Sequence, residues 1–204
     1  SLHDALPISS WDYFVTSFKG QDLSEQEKND YLEIGRQSLT AYHQQYFASG
    51  SEQILCCEKL FGWVGNLLVS GVPVCGKIDR LDVLEAKAGI LRAVDYKTGR
   101  ALSLNKVLAG TAIELSPREK KLPIFLRSSL KRQLLFYKLL VEAEKNFPFR
   151  VQSGVLDFIK KSSSSKPSRV EIALLDEEAA ALAKLLKQVW QEIINLDFLS
   201  AATY

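Results

Sequence analysis

The stretch that most constrains the fold begins at Val74 and ends at Arg100, and it reads VCGKIDRLDVLEAKAGILRAVDYKTGR. Aliphatic and β-branched residues dominate the segments 74–84 and 90–96, which is typical of strands. Between these segments, Lys87-Ala88-Gly89 has the composition of a turn. The sequence therefore predicts two antiparallel strands joined as a β-hairpin.

The length of the turn decides which charged residues of this hairpin lie together. A three-residue turn centred on Ala88 puts Asp79 opposite Lys97, and it puts Asp95 opposite Leu81. Because side chains of a strand alternate between faces, Asp79, Asp95 and Lys97 then share one face, with cross-strand neighbours ~5 Å apart. A four-residue turn would instead place the two aspartates on opposite faces.

Two carboxylates and an ammonium group on one face of a hairpin favour a bound ligand. A divalent cation between Asp79 and Asp95, with Lys97 facing a water molecule or a phosphate, accounts for all three side chains. Taken alone, the Asp-x-Lys tripeptide is weak, because alternating charges are common on exposed strands. An exposed, solvated strand is therefore the alternative for that tripeptide.

Two further motifs accompany this tripeptide in a fixed order. Gly76-Lys77-Ile78-Asp79-Arg80 precedes Asp95-Tyr96-Lys97-Thr98-Gly99, and Gln133 with Tyr137 follows on a predicted helix. This set resembles the PD-(D/E)XK nucleases of the RecB type, the nuclease modules often fused to UvrD-type DNA helicases. The resemblance implies an α/β fold with a restriction-endonuclease-like core, in which helices flank a mixed central β-sheet.

The resemblance also implies an activity, the hydrolysis of phosphodiester bonds in DNA. Asp79 and Asp95 would bind Mg²⁺ or Mn²⁺ together with the main-chain carbonyl of Tyr96. Lys97 would position the attacking water or stabilise the transition state. Such a nuclease would act in DNA repair or recombination, with a helicase domain in the same chain or on a partner. The alternative is a catalytically inactive DNA-binding or scaffold module, although decay usually removes one of the three charged residues.

Supporting roles follow from the same resemblance. Gln133 and Tyr137, four residues apart on one helix face, would face the active site and help to hold the DNA or orient the core. A hydrogen bond at the helix boundary is the simpler alternative. Glu58, followed by Phe61, matches an E-x-x-F element that the family places just before the hairpin, where it would support the site. An ordinary exposed carboxylate is the alternative for Glu58.

A third metal ligand stays open, because Leu39 holds the place of the histidine that the family often carries on its first helix. His43 lies one turn further along the same face and is a weaker candidate. Arg80, which follows Asp79 directly on the first strand of the hairpin, should point to the opposite face, and its simplest role is a structural ion pair.

Composition limits the remaining possibilities. The 204 residues, 47% of them hydrophobic, can bury the core of one domain, and a net charge of +2 provides no general basic field for DNA. DNA binding must then use local clusters such as the basic residues between Arg118 and Arg132, although a solvated loop explains that cluster equally well. No membrane segment or signal peptide is evident, which predicts a cytoplasmic protein.

The three cysteines form neither a disulfide framework nor a zinc pattern. Some relatives hold an iron–sulfur cluster through cysteines on both sides of the nuclease core, but an iron–sulfur cluster is not supported within this fragment.

Residues 1–9 resemble a non-native leader, and residues 10–204 are expected to form a single PD-(D/E)XK nuclease domain, the C-terminal fragment of a larger helicase–nuclease.

Overall fold

The computed structural model describes residues 8–17, 21–47, 53–63, 67–109, 115–160 and 168–196. Residues 1–7 of the expected leader lie outside these ranges, whereas residues 8 and 9 belong to the first helix. A 3₁₀ turn at Glu119–Lys121 accompanies the longer elements. In chain order, these elements are α1 (Ile8–Ser17), α2 (Glu25–Tyr46), β1 (Ile54–Phe61), β2 (Leu68–Val69), β3 (Val72–Pro73), β4 (Gly76–Glu85), β5 (Ile90–Lys97), α3 (Leu104–Ala109), α4 (Ile124–Arg127), α5 (Ser129–Ala143), β6 (Arg150–Phe158), β7 (Ser168–Ala173) and α6 (Asp176–Ile194).

Five strands form one sheet in the order β1-β4-β5-β6-β7, and β2 pairs only with β3. Both β1 and β5 run antiparallel to β4. β6 runs parallel to β5, because the Gly89 carbonyl accepts from Arg150 at one end and the Lys97 carbonyl accepts from Ile159 at the other. A mixed sheet flanked by helices is the predicted α/β architecture, and it is consistent with a restriction-endonuclease-like fold.

The turn of the central hairpin is longer than predicted. β4 ends at Glu85 and β5 begins at Ile90, so four residues, 86–89, connect the strands. Such a turn alone would separate the two aspartates onto opposite faces. A β-bulge between Val83 and Glu85 adds one residue to β4 and cancels this effect. The bulge, which the sequence pattern did not reveal, therefore restores the parity that a three-residue turn would have given.

The register differs from the prediction by two residues. Leu81 pairs with Ala93, so the predicted pairing of Leu81 with Asp95 is wrong. The pairs of β4 with β5 end at Arg80 and Val94, and this register continued by one residue brings Asp79 to Asp95 and not to Lys97. Because two residues are one full repeat of side-chain alternation, Asp79, Asp95 and Lys97 still lie on one face of the hairpin.

The other face of the hairpin holds a buried ion-pair network. The Arg80 Nε lies 2.9 Å from the Asp82 Oδ1, and the side chains are 0% and 2% exposed. The Arg92 Nη2 lies 2.8 Å from the Asp82 Oδ2. Residues two apart on a strand share a face, so this network points away from Asp79, as predicted for Arg80.

Helix α5 packs its apolar residues against the sheet. Ser128 caps its first turn by accepting from the Lys131 amide, and the helix ends at Ala143. Leu134 is fully buried, and it fits against β6 because a β-carbon at Gly154 would lie 2.9 Å from the Leu134 Cδ1. This tight contact fixes the helix over the strands beside it.

Helix α6 has Leu175 in the N-cap position, and Asp176 is its first helical residue. The Asp176 carboxylate pairs with Lys138 at 2.9 Å and with Arg150 at 3.1 Å, which explains why it does not cap the helix. A carboxylate in the first turn still interacts favourably with the helix dipole.

The chain divides into two compact units: Ser1–Glu52 with Tyr96–Ala101 and Asp157–Arg169, and the remaining residues. Within the first unit, a capping box begins α2, since Ser24 and Glu27 bond reciprocally. The apolar residues of α2 are only partly buried. Tyr31 and Ile34 are exposed, whereas Tyr42 is buried.

Tyr42 belongs to a polar cluster of the first unit that the sequence did not predict. Its hydroxyl donates to the fully buried Asp157, which also accepts from the Arg169 Nε at 2.9 Å. The Arg169 guanidinium stacks on the Tyr46 ring at 3.9 Å. Burial, and next the bond to Asp157, hold the pKa of Tyr42 well above its ordinary value, so the phenol stays a donor.

We expect Asp82→Asn to lower the free energy of unfolding by about 3–5 kcal/mol, because it leaves the buried Arg80 without a full counter-charge. Urea unfolding followed by circular dichroism measures this loss. Glu85→Gln, an exposed change at the end of the same strand, is the matched control and should stay within about 0.5 kcal/mol of the wild type. Equal effects from the two substitutions would contradict a structural role for the network.

Candidate active site

The candidate site lies at the open end of the central hairpin, where β4 begins and β5 ends. Asp79 lies near the start of β4, and Asp95 and Lys97 lie at the end of β5. Asp95 is only 2% exposed, whereas Asp79 and Lys97 are partly exposed. Aliphatic residues beside these side chains, such as Ile78 and Val94, are buried in the core. The partly exposed Asp79 and Lys97 leave this end of the hairpin open to a ligand.

Two side chains of α5 hold Asp95 in place. The Gln133 Nε2 donates to the Asp95 Oδ1 at 2.7 Å, and the Tyr137 hydroxyl donates to the same oxygen at 2.8 Å. The Gln133 Nε2 also lies 3.0 Å from the Tyr137 hydroxyl. The structure therefore brings three of the predicted site residues together, and α5 fixes the orientation of the Asp95 carboxylate.

The electrostatics of Tyr137 reflect both aspartates. Its pKa lies well above the ordinary value, chiefly because of burial and next because of the hydrogen bond to Asp95. The charges of Asp95 and Asp79 raise it further. A phenol with a raised pKa stays protonated at neutral pH, so Tyr137 acts as a donor here. Both carboxylates raise the pKa of Tyr137, which agrees with Asp79 and Asp95 lying on the same face of the hairpin.

Glu58 reaches the same region from β1. It falls between Cys57 and Lys59, which both pair with β4, so the register places Glu58 across from Asp79. Its exposed side chain forms an ion pair with the Lys77 Nζ. The backbone of Glu58 has φ +53°, a left-handed conformation that residues with a β-carbon rarely adopt.

Lys77 is the residue of this region that sequence reasoning missed. It lies two residues before Asp79 on β4 and therefore points to the same face. The bond and charge of Glu58, and to a smaller extent the charge of Asp79, raise the pKa of Lys77. Lys77 and Asp79 are two residues apart on one strand, as are Asp95 and Lys97. The same spacing that selected Lys97 could therefore have selected Lys77 from the sequence.

The donor set at the hairpin fits a hard divalent cation. Asp79 and Asp95 offer opposed carboxylates, and the contacts of Asp95 to α5 are the outer hydrogen bonds that usually orient such ligands. Within the described part of the chain, no three His, Cys, Asp or Glu side chains converge closely enough to hold a metal ion. The predicted set differs from such a group, since it counts a main-chain carbonyl, that of Tyr96, as its third oxygen.

The side chains of Tyr96 and His43 pack against other aromatic rings. The Tyr96 ring meets Tyr42 edge-on at 6.3 Å, and the His43 ring packs against Phe47 at 6.5 Å. All three cysteines are free thiols.

None of the helices among residues 8–17, 21–47, 53–63, 67–109, 115–160 and 168–196 has the length and apolar character needed to cross a membrane.

The three arginines from Arg118 to Arg132 each contact another group of the protein. The Arg132 Nη2 lies 2.6 Å from the Glu119 Oε1, and the Arg118 Nη1 lies 3.4 Å from a carboxylate of α6. Arg127 donates to the Leu122 carbonyl at 2.9 Å. Arg118 is nevertheless 80% exposed, so these contacts do not decide between the DNA-binding cluster and the solvated loop.

Comparison with known proteins agrees with this geometry. No curated protein matches the chain in a sequence search. The sequence model of the PD-(D/E)XK nuclease superfamily matches residues 14–203, a range that contains the central hairpin and α5. The chain therefore belongs to the PD-(D/E)XK nuclease superfamily.

Proposed function

We propose that this chain is a metal-dependent deoxyribonuclease that hydrolyses phosphodiester bonds. The observation that carries the proposal is the hairpin register, whose last pair is Arg80 with Val94. Continued by one residue, it brings Asp79 to Asp95 on one face, and Lys97 follows two residues later on β5. Like charges directly opposite each other destabilise a sheet unless a ligand lies between them. An opposed pair of aspartates is therefore better explained by a bound cation than by folding.

The cation that suits these residues is Mg²⁺ or Mn²⁺. Asp79 and Asp95 would hold it, with the main-chain carbonyl of Tyr96 as a further oxygen ligand. When bound, such an ion lowers the pKa of a water molecule and neutralises charge on the phosphate. Hard oxygen ligands favour these ions over softer transition metals.

The protein prepares Asp95 for this task through α5. Gln133 and Tyr137 both donate to its Oδ1, so the carboxylate keeps one orientation before any ligand arrives. A ligand that is already oriented loses less conformational freedom on binding. Gln133 and Tyr137 would therefore act on the reaction by positioning Asp95.

Lys97 would act on the water or on the phosphate. An ammonium group has three donors and no acceptor, so it can orient a water molecule and also bind a non-bridging phosphate oxygen. Negative charge grows on those oxygens as the bond to phosphorus breaks, and a cation fixed nearby stabilises that charge. Its place on β5 gives Lys97 the same face as Asp95.

We further propose that this nuclease acts in DNA repair or recombination in the cytoplasm, as the partner of a helicase domain in the same chain or on another subunit. The support is the resemblance of its three ordered motifs to the RecB-type modules. Cleavage that is stimulated by adding such a helicase would test this association.

We expect the wild type to cut labelled DNA with Mg²⁺ or Mn²⁺ and not with EDTA. Lys97→Ala should lower the cleavage rate by about 10²–10³-fold, because it removes a cation that stabilises the transition state. A gel assay on single- and double-stranded substrates measures both rates. Lys87→Ala, in the turn of the same hairpin, is the control and should cut at the wild-type rate.

Two outcomes would contradict this expectation. Cleavage by Lys97→Ala at the wild-type rate would remove Lys97 from the chemistry. A folded wild type that binds DNA and cuts none would favour the inactive scaffold instead. Circular dichroism of each variant separates a loss of chemistry from a loss of fold.

We expect Gln133→Ala to lower the cleavage rate by about 10–100-fold, the usual cost of losing an outer contact to a metal ligand. Gln188→Ala removes an exposed glutamine from α6 and should leave the rate unchanged. Raising the metal concentration should partly restore the rate of Gln133→Ala. A wild-type rate, or a loss explained entirely by a lower melting temperature, would make the contact to Asp95 purely structural.

A further inference from the structure

The ion pair between Lys77 and Glu58 lies beside the proposed metal site. Lys77 precedes Asp79 by two residues on β4, and Glu58 lies across from Asp79 on β1. The side chains of Lys77 and Glu58 are 50% and 61% exposed. Both groups can therefore meet a ligand that approaches the open end of the hairpin.

A stabilising role explains this pair poorly. Exposed ion pairs contribute little to stability, because water screens them and ordering two long side chains costs entropy. Glu58 also adopts a left-handed backbone with φ +53°, which is unfavourable for a residue with a β-carbon. Strained residues of this kind concentrate at functional sites.

The chemistry of the pair matches the substrate of the proposed reaction. A carboxylate and a phosphodiester both present anionic oxygens that accept hydrogen bonds from an ammonium group. Lys77 is half exposed and, like any solvent-exposed lysine, carries a positive charge at neutral pH. A DNA phosphate can therefore replace the Glu58 carboxylate on Lys77, because the released carboxylate is exposed and water can solvate it.

We propose that Lys77 binds a backbone phosphate of the DNA substrate and that Glu58 occupies Lys77 until this phosphate displaces it. The inference rests on the proposed function, since it assigns a substrate contact to the same site. It also gives Glu58 a definite role: its carboxylate takes the place of the phosphate in the free protein. Any other anion that binds Lys77 must then displace the Glu58 carboxylate first.

The test is equilibrium binding of fluorescein-labelled single-stranded DNA, measured by anisotropy in EDTA over a series of KCl concentrations. Lys77→Gln should weaken binding by about 3–10-fold and lower the slope of log K against log salt by about 0.7, the value for one phosphate contact on a single strand. Lys77→Arg should retain most of the affinity. Glu58→Gln should tighten binding, because the lysine no longer has to leave a carboxylate.

The double variant and a charge control make the test specific. Once Lys77→Gln is present, Glu58→Gln should have a much smaller effect, since the two residues act as a pair. Lys87→Gln removes the same charge at the closed end of the hairpin, about 30 Å away along the strand and beyond the ~10 Å screening length. Its salt slope should equal that of the wild type.

The outcomes separate this inference from the proposed function. A wild-type affinity and salt slope for Lys77→Gln overturn the inference, and cleavage by the wild type would leave the nuclease proposal intact. Equal losses in Lys77→Gln and Lys87→Gln also overturn it, because they report only general charge. A wild type that cuts no DNA, combined with the expected loss in Lys77→Gln, contradicts the nuclease and supports the phosphate contact.

Discussion

The alternation of side chains along one β-hairpin is the constraint on which the rest of this structure depends. A four-residue turn and a bulge before Glu85 together set the register, and either of them alone would turn Asp79 away from Asp95. With both present, one face of the hairpin carries Asp79 and Asp95 and the other carries the buried pair of Arg80 and Asp82. Side-chain alternation thus separates the candidate site residues from the buried ion pair.

Helix α5 turns this arrangement into a defined site. Its apolar side presses on the sheet through Leu134, and its polar positions Gln133 and Tyr137 then reach Asp95. Packing and chemistry are therefore coupled, because the contact that buries the helix also decides where the two donors point. The close approach at Gly154 limits how far the helix can shift.

The sequence predicted the mixed sheet, the hairpin and the i, i+4 pair on α5, because periodicity and turn composition act locally. It also predicted that Asp79 and Asp95 share a face, although for the wrong reason. The bulge depends on packing against neighbouring strands, which no local pattern records. The contact between Lys77 and Glu58 was missed because it joins two strands, and the left-handed backbone of Glu58 has no signature in residue type.

The central claim is that Asp79 and Asp95 together hold a divalent cation. Titration of Mn²⁺ into the protein, followed by isothermal titration calorimetry, tests it most directly. The account predicts a Mn²⁺ site in the wild type that is lost in Asp79→Asn and in Asp95→Asn, while Glu85→Gln keeps it. Equal Mn²⁺ binding by the wild type and both aspartate variants would contradict the account.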